Sequence, residues 1–123
     1  MTRKDVDRWL ERYVAAWRSN DPAEIGDLFS EDAVYRYNPA DDRPMVGREA
    51  IVQGWLEEGD EPGSFDASYT CWAIDGERAV ATGTSTYEKP EHRVYDNVFL
   101  LVFDGQGRCA DFSEVYLRRS QPS

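Results

Sequence analysis

A carboxylate set among aromatic residues is the feature of this sequence best suited to chemistry. Glu114 alternates with Phe112 and Tyr116, so all three share one face if this segment is a strand. Burial beside aromatic rings raises the pKa of a carboxyl group, which would suit Glu114 to act as an acid or a base, with Tyr116 as a ligand contact. The alternative is a salt bridge at the sheet surface with Arg118 or Arg119.

Arg36 is a second candidate, because strand alternation puts it on the same face as Val34 and Asn38. If that face lines a pocket, the buried guanidinium needs a carboxylate, and Asp96 and Glu114 are the acids on predicted strands. Together they would form a catalytic group, and the Asn38 amide could hydrogen-bond a ligand oxygen. The other interpretation places Arg36 on the surface or at a dimer interface.

Further side chains are suited to binding a ligand. Tyr13 lies on the apolar face of a predicted helix, where its hydroxyl either points into a cavity or is buried in the core. Trp55 is placed to close the mouth of a pocket, and Asn97 shares a strand face with Phe99. His92, the only histidine, is either a base at the pocket mouth or a solvated loop residue.

The first predicted helix spans residues 3–19 and begins with a capping-box pair, Thr2 and Asp5. Its apolar residues recur at spacings of three and four, which gives one broad stripe facing a core. The stripe consists of Val6, Trp9, Leu10, Tyr13, Val14 and Trp17. The core or the pocket wall is therefore expected on this face.

Two shorter helices are predicted next. Asp21 is the N-cap of the second, Pro22 is its first residue, and its apolar face is expected to extend to Phe29. The third begins at Gly47 and directs Ile51 and its neighbours to one side.

The rest of the chain predicts mostly strands. Asp75-Gly76 is a typical hairpin turn pair, so the strands on either side of it should be antiparallel neighbours. The predicted strands span residues 33–37, 65–74, 77–88, 94–103 and 108–117. Loops are predicted at 40–46 and 59–63, and a tail at 118–123.

The strand at 94–103 is apolar on both faces, so both faces should be covered. The helices cover one face, and a second copy of the chain is the simplest cover for the other. The sequence therefore predicts a homodimer.

Composition limits the classes of partner. The chain has 123 residues with 24 Asp and Glu against 14 Lys and Arg, a net charge of −10, which disfavours nucleic acids and membrane surfaces. The charged N-terminus lacks an apolar signal core, so we expect a cytoplasmic protein. In that compartment Cys71 and Cys109 should be buried thiols rather than a disulfide. Two cysteines and one histidine predict no metal site, and the absence of a Gly-rich phosphate loop predicts no nucleotide cofactor.

The order α-α-β-α-β-β-β-β resembles the SnoaL-like, nuclear-transport-factor-2-like superfamily. The resemblance covers residues 1–120 as one domain, followed by a tail at 121–123. It is carried by residues 12–17 (RYVAAW), 20–21 (ND), 27–29 (DLF), 32–34 (DAV) and 47–51 (GREAI). The resemblance implies an α+β fold of the cystatin-like type, a curved mixed sheet forming a cone packed on three N-terminal helices. None of these segments is a catalytic signature.

Ketosteroid isomerases are the informative members for comparison. Tyr13 stands where the resemblance implies their oxyanion-hole tyrosine, but Asn38 stands at the position of the general base and Phe99 at that of the protonated aspartate. An amide cannot take up a proton at neutral pH, and a phenyl ring has no proton to donate, so neither residue can replace the catalytic group. A second resemblance, to epoxide-hydrolase-like members, implies an arginine flanked by two acids, as in Arg36 with Asp96 and Glu114.

Three functions remain open from the sequence. The first is a cofactor-free isomerase, cyclase or hydrolase type of enzyme acting on an apolar small molecule. The second is a non-catalytic module that binds such a ligand. The third is a dimerisation or assembly domain of the same fold, since fold alone does not give function.

Overall fold

Three helices and six strands form the part of the chain that the computed structural model describes, residues 1–58, 64–89 and 91–119. The helices pack on one face of a curved sheet, which is the predicted α+β cone. In chain order the elements are α1 Arg3–Ser19, α2 Pro22–Asp27, β1 Phe29–Arg36, β2 Met45–Val46, α3 Arg48–Glu58, β3 Phe65–Asp75, β4 Arg78–Tyr87, β5 Arg93–Phe103 and β6 Cys109–Arg118. The predicted loop at 59–63 and the end of the predicted tail lie outside the described residues.

The sheet is mixed and has the strand order β2-β1-β6-β5-β4-β3. Strand β1 pairs with β6 in parallel, and the other neighbours are antiparallel. Because the side-chain period of a strand is two, register fixes which residues face the helices. Phe99 pairs with Glu114 and Asn97 with Tyr116, so these four side chains lie on the inner face.

Local capping fixes where α1 and α2 begin, as the sequence predicts. Thr2 and Asp5 form the capping box of α1. The Asp21 carboxylate accepts the backbone N–H of Ala23 at 2.9 Å, with Pro22 opening the helix. These bonds satisfy N–H groups that would otherwise lack partners at a helix start.

Two predicted boundaries are wrong. Helix α2 ends at Asp27, and Phe29 begins β1 instead of completing the helix. A tertiary hydrogen bond explains the early end of the helix. The carbonyl of Leu28 accepts the N–H of Cys109 at 2.9 Å, and this bond begins the pairing of β1 with β6. The predicted loop at 40–46 also contains the short strand β2, in which Val46 pairs with Val34.

The core lies between α1 and the inner face of the sheet. Trp9 is 2% exposed, and its ring centroid lies 5.5 Å from that of Phe103 and 6.0 Å from that of Phe29. Its indole N–H donates to the carbonyl of Leu28 at 3.0 Å, so the one polar atom of the ring has a partner. This aromatic cluster closes one end of the cone.

The two cysteines are buried free thiols, as predicted. In the described ranges no helix is both long and apolar enough to cross a membrane.

The absence of a side chain at Gly83 of β4 leaves room on the inner face of the sheet for the side chain of Tyr69. A Cβ at Gly83 would collide with the carbonyl oxygen of Ser68 and lie 2.8 Å from the Cα of Tyr69. Because Tyr69 is the direct cross-strand partner of Gly83, the missing side chain lets the backbones of β3 and β4 approach and positions Tyr69 at the site described next.

Candidate functional site

A cavity lies at the end of the cone opposite the Trp9 cluster, between α1, α3 and the inner face of the sheet. It has a volume of about 100 Å³ and opens into a wider groove of about 450 Å³. Its wall is mainly aromatic, with two carboxylates, one amide and one serine hydroxyl besides the tyrosine hydroxyls. The lining residues are Tyr13, Trp17, Asn20, Tyr35, Tyr37, Trp55, Glu58, Tyr69, Ser85, Tyr87 and Glu114.

Helix α1 supplies Tyr13 at the inner end of the cavity. Its ring stacks on Phe112 with centroids 5.7 Å apart and meets Trp55 edge-on at 5.1 Å. Its hydroxyl shares a hydrogen bond with the hydroxyl of Tyr35. Whichever hydroxyl donates to the other, the proton of the second remains available to a ligand oxygen.

These two tyrosines are hydrogen-bond donors rather than bases at neutral pH. Burial raises the pKa of both Tyr13 and Tyr35 well above the ordinary tyrosine value, because desolvation opposes the phenolate. The negative charge of Glu114 raises both pKa values further.

Glu114 on β6 directs its carboxyl group into the same cavity. Burial raises its pKa to about 7, and the negative charge of Glu58 adds to the rise. The amide N–H of Asn97 donates to Glu114 Oε1 at 3.4 Å and opposes part of the rise. Glu114 can therefore both accept and release a proton near neutral pH, which is the requirement for acid–base chemistry.

Glu114 is the end of a hydrogen-bonded row that crosses four strands. Ser85 on β4 donates to Asn97 Oδ1 on β5 at 3.0 Å, and Asn97 in turn donates to Glu114 on β6. The hydroxyl of Tyr69 on β3 is hydrogen-bonded to Ser85. Ser85 and Asn97 are 3% and 4% exposed, so the row satisfies buried polar groups and fixes the position of the Glu114 carboxyl group.

Glu58, at the end of α3, is a second carboxylate at the cavity and was missed by the sequence analysis. The Tyr37 hydroxyl donates a hydrogen bond to Glu58 Oε1, with 3.1 Å between the two oxygen atoms. Burial and this carboxylate raise the pKa of Tyr37 above the ordinary value. Glu58 belongs to an exposed, acidic helix end next to a predicted loop, and that pattern is typical of solvated surface, so no sequence signal marked it.

Two of the predicted catalytic residues lie on the opposite, outer face of the sheet. Arg36 forms an ion pair with Asp111 at 2.6 Å, and Asp96 forms one with Arg119 at 2.8 Å. The hydrogen bond from Arg119 lowers the pKa of Asp96. The prediction that Arg36 and Asp96 lie beside Glu114 is therefore wrong. Tyr35 and Asn97 face inward, so their strand neighbours Arg36 and Asp96 face outward.

The remaining predicted positions divide between the cavity, the groove and other places. Trp55 lines the cavity, and Asn97 and Tyr116 line the groove. Phe99 is 1% exposed and packs in the core beneath the cavity. The prediction that Asn38 binds the ligand is wrong. Asn38 is an exposed turn residue whose Oδ1 accepts the N–H of Ala40 at 2.9 Å, and it does not line the cavity.

His92 lies 3.1 Å from the carboxylate of Glu88, outside the lining of the cavity and groove. Of the two alternatives that the sequence left open for His92, this position matches the loop residue and not the base at the pocket mouth. Within residues 1–58, 64–89 and 91–119, no three His, Cys, Asp or Glu side chains are grouped so that they could hold a metal ion.

Most of the aromatic wall comes from three strand residues, and one residue directly after a strand, that the sequence analysis did not select. They are Tyr35, Tyr37, Tyr69 and Tyr87. Tyr69 and Tyr87 each lie between polar neighbours, and Tyr35 and Tyr37 flank Arg36. The inner face could therefore have been predicted from the two-residue period of a strand once the orientation of one strand was known.

Comparison with known proteins identifies the family of this chain. The sequence model of the SnoaL-like domain matches residues 10–112. The chain belongs to the SnoaL-like domain family. No curated protein matches it in sequence.

Among solved structures, this SnoaL-like domain is similar to the crystal structure of an NTF-2-like protein of unknown function from Burkholderia xenovorans LB400. The match has a TM-score of 0.73 at 15% sequence identity and covers 98% of this chain and 88% of that one. At this identity the likeness establishes the fold alone.

The raised pKa of Glu114 predicts how stability depends on pH. The folded state holds this proton up to pH about 7, whereas the unfolded chain releases it near 4.5, so folding stability falls as pH rises between these values. At pH 8, Glu114→Gln should therefore raise the free energy of unfolding by on the order of 3 kcal/mol, and the gain should vanish near pH 4.

Urea denaturation at pH 4, 6 and 8 measures this difference, with exposed Glu11→Gln on α1 as the matched control. A Glu114→Gln protein that is no more stable than the wild type at pH 8 would show that the carboxyl group is not desolvated.

Proposed function

We propose that this SnoaL-like domain is a cofactor-free acid–base enzyme that acts on a small, largely apolar molecule. The observation that carries the proposal is the Glu114 carboxyl group in an aromatic cavity, with a pKa of about 7. A group with that pKa is populated in both protonation states at neutral pH, so it can take up a proton and return it in one turnover.

The proposed reaction assigns a role to each part of the cavity. The rings of Tyr13, Trp55 and Tyr69 hold the apolar body of the substrate. The free proton of the Tyr13–Tyr35 hydroxyl pair hydrogen-bonds a substrate oxygen and stabilises negative charge that develops there. Ionised Glu114 accepts a proton from the substrate and then, as the acid, returns it to another atom. Isomerisation, cyclisation, dehydration and epoxide opening all fit this proton exchange.

A ligand-binding module without turnover is the second candidate. It is favoured by Asn38 and Phe99, which the resemblance to ketosteroid isomerases assigns to two of their catalytic positions and which here lie in an exposed turn and in the core. Neither residue can transfer a proton, so only Glu114 and its neighbours remain for chemistry.

We also propose that the outer face of the sheet binds a second copy of the chain. Leu100, Val115 and Leu117 on β5 and β6 are 40%, 39% and 72% exposed and form an apolar stripe there. The ion pairs Arg36–Asp111 and Asp96–Arg119 lie on the same face, so each copy would offer both signs of charge to the other.

Proton transfer can be tested before the substrate is known. We expect the protein to accelerate deuterium incorporation from D₂O next to the carbonyl group of 2-tetralone, a flat apolar ketone, with a rate that rises through pH about 7 as Glu114 ionises. Glu114→Gln should lower this rate at least 100-fold, because general-base catalysis typically contributes a factor of about 10²–10⁴. NMR of the ketone measures the rate.

Glu11→Gln should leave the rate unchanged. Binding of 2-tetralone without any acceleration would favour the binding module instead.

Sedimentation equilibrium at micromolar concentration tests the dimer. We expect twice the monomer mass of 14.1 kDa, and a shift to the monomer in Leu100→Lys, because a charge at the centre of the stripe cannot be buried without a partner. A wild-type monomer at 14.1 kDa would contradict the proposed interface.

A further inference from the structure

The groove outside the cavity contains a cation that has no carboxylate partner. Arg93, at the start of β5, is half-buried and lines this groove. Its guanidinium carbon lies 4.6 Å from the centre of the Tyr87 ring, and Nη2 donates to the backbone carbonyl of Lys89 at 2.9 Å. Among the described residues that line the cavity and the groove, Arg93 is the sole cation.

The acids near Arg93 bind other partners. Glu88 interacts with His92 at 3.1 Å, and Glu91 forms an ion pair with Arg118 at 2.9 Å. Asp96 points to the outer face, where it pairs with another arginine. In the described part of the chain, no carboxylate therefore neutralises Arg93.

The hydrogen bonds of Arg93 are also incomplete. Its Nε is buried without a hydrogen-bond partner, and Nη1 reaches the Tyr95 hydroxyl only at 3.5 Å, the outer limit for such a bond. A half-buried guanidinium with unused donors is costly unless an anion completes it. Stacking on Tyr87 holds the planar group in place, so an arriving anion meets donors that are already oriented.

We propose that Arg93 binds the carboxylate of the ligand, and that this domain acts on small apolar carboxylic acids. The inference rests on the proposed small-molecule site and adds the chemical class of its substrate. A carboxylate matches the guanidinium fork because two parallel N–H···O bonds can form. The tyrosine rings beside Arg93 accommodate the adjoining apolar part.

The charges around the groove also set the direction of binding. Glu58 and Glu114 line both the cavity and the groove, whereas Arg93 lines only the groove. A ligand carboxylate inside the cavity would meet these two glutamates and, among the described lining residues, no cation, so its carboxylate end stays at Arg93 in the groove. The apolar end then enters between the rings and reaches the Glu114 carboxyl group.

Matched probes of nearly identical shape test this assignment. We expect 2-naphthoate to bind the wild-type protein at least tenfold more tightly than neutral 2-naphthamide. Binding is measured by the quenching of fluorescence from the tryptophans that line the cavity. Arg93→Gln should weaken 2-naphthoate binding at least tenfold and change 2-naphthamide binding less than twofold. Arg93→Lys, which keeps the charge but loses the fork, should fall between them. Arg12→Gln, on the outside of α1, should bind both probes like the wild type.

Equal affinity of the wild type for the two probes, or 2-naphthoate affinity unchanged in both Arg93 variants, would overturn the inference. If 2-tetralone still exchanges deuterium in a Glu114-dependent way in that case, the proposed function stands and only the carboxylate assignment fails. If none of the three compounds binds, both the assignment and the proposed function are wrong.

Discussion

The whole arrangement depends on how one face of α1 packs against the concave side of the sheet. Trp9, Tyr13 and Trp17 follow each other at four-residue intervals, so their rings line up along the axis of the cone. Trp9 packs edge-on against Phe103 at the closed end, and Trp17 stacks on Phe65 with centroids 3.9 Å apart at the open end. Tyr13 lies between them, at the boundary between core and cavity.

Strand alternation then places a charge on this aromatic surface. Along the inner face of β6, Phe112 is buried in the core, Glu114 faces the cavity and Tyr116 reaches the open groove. The carboxyl group cannot leave this face without shifting the register of β6, which would expose Phe112. Desolvation therefore raises the Glu114 pKa, while the amide of Asn97 limits the rise, and the tyrosine hydroxyls nearby remain protonated.

The fold follows from the sequence more completely than the site does. Helix starts and hairpin turns depend on local residues such as Asp21, Pro22 and Gly76, so they could be predicted. The inner face of β1 could not, because Tyr35 and Arg36 are each compatible with burial and the choice depends on the parallel pairing with β6. Glu58 reaches the cavity only because α3 packs against the sheet at that end. The position of Glu114 was predictable because Phe112 is a reliable marker of the inward direction.

The carboxyl titration of Glu114 tests the central claim most directly. Carbon-13 NMR of glutamate-labelled protein, assigned by comparison with Glu114→Gln, follows this group through the pH range. We expect a midpoint of about 7 for Glu114, moving to lower pH in Glu58→Gln because one negative charge is removed from the same cavity. A midpoint near the ordinary value of 4.5 would show that Glu114 is solvated, and would contradict its role as the acid–base group of this domain.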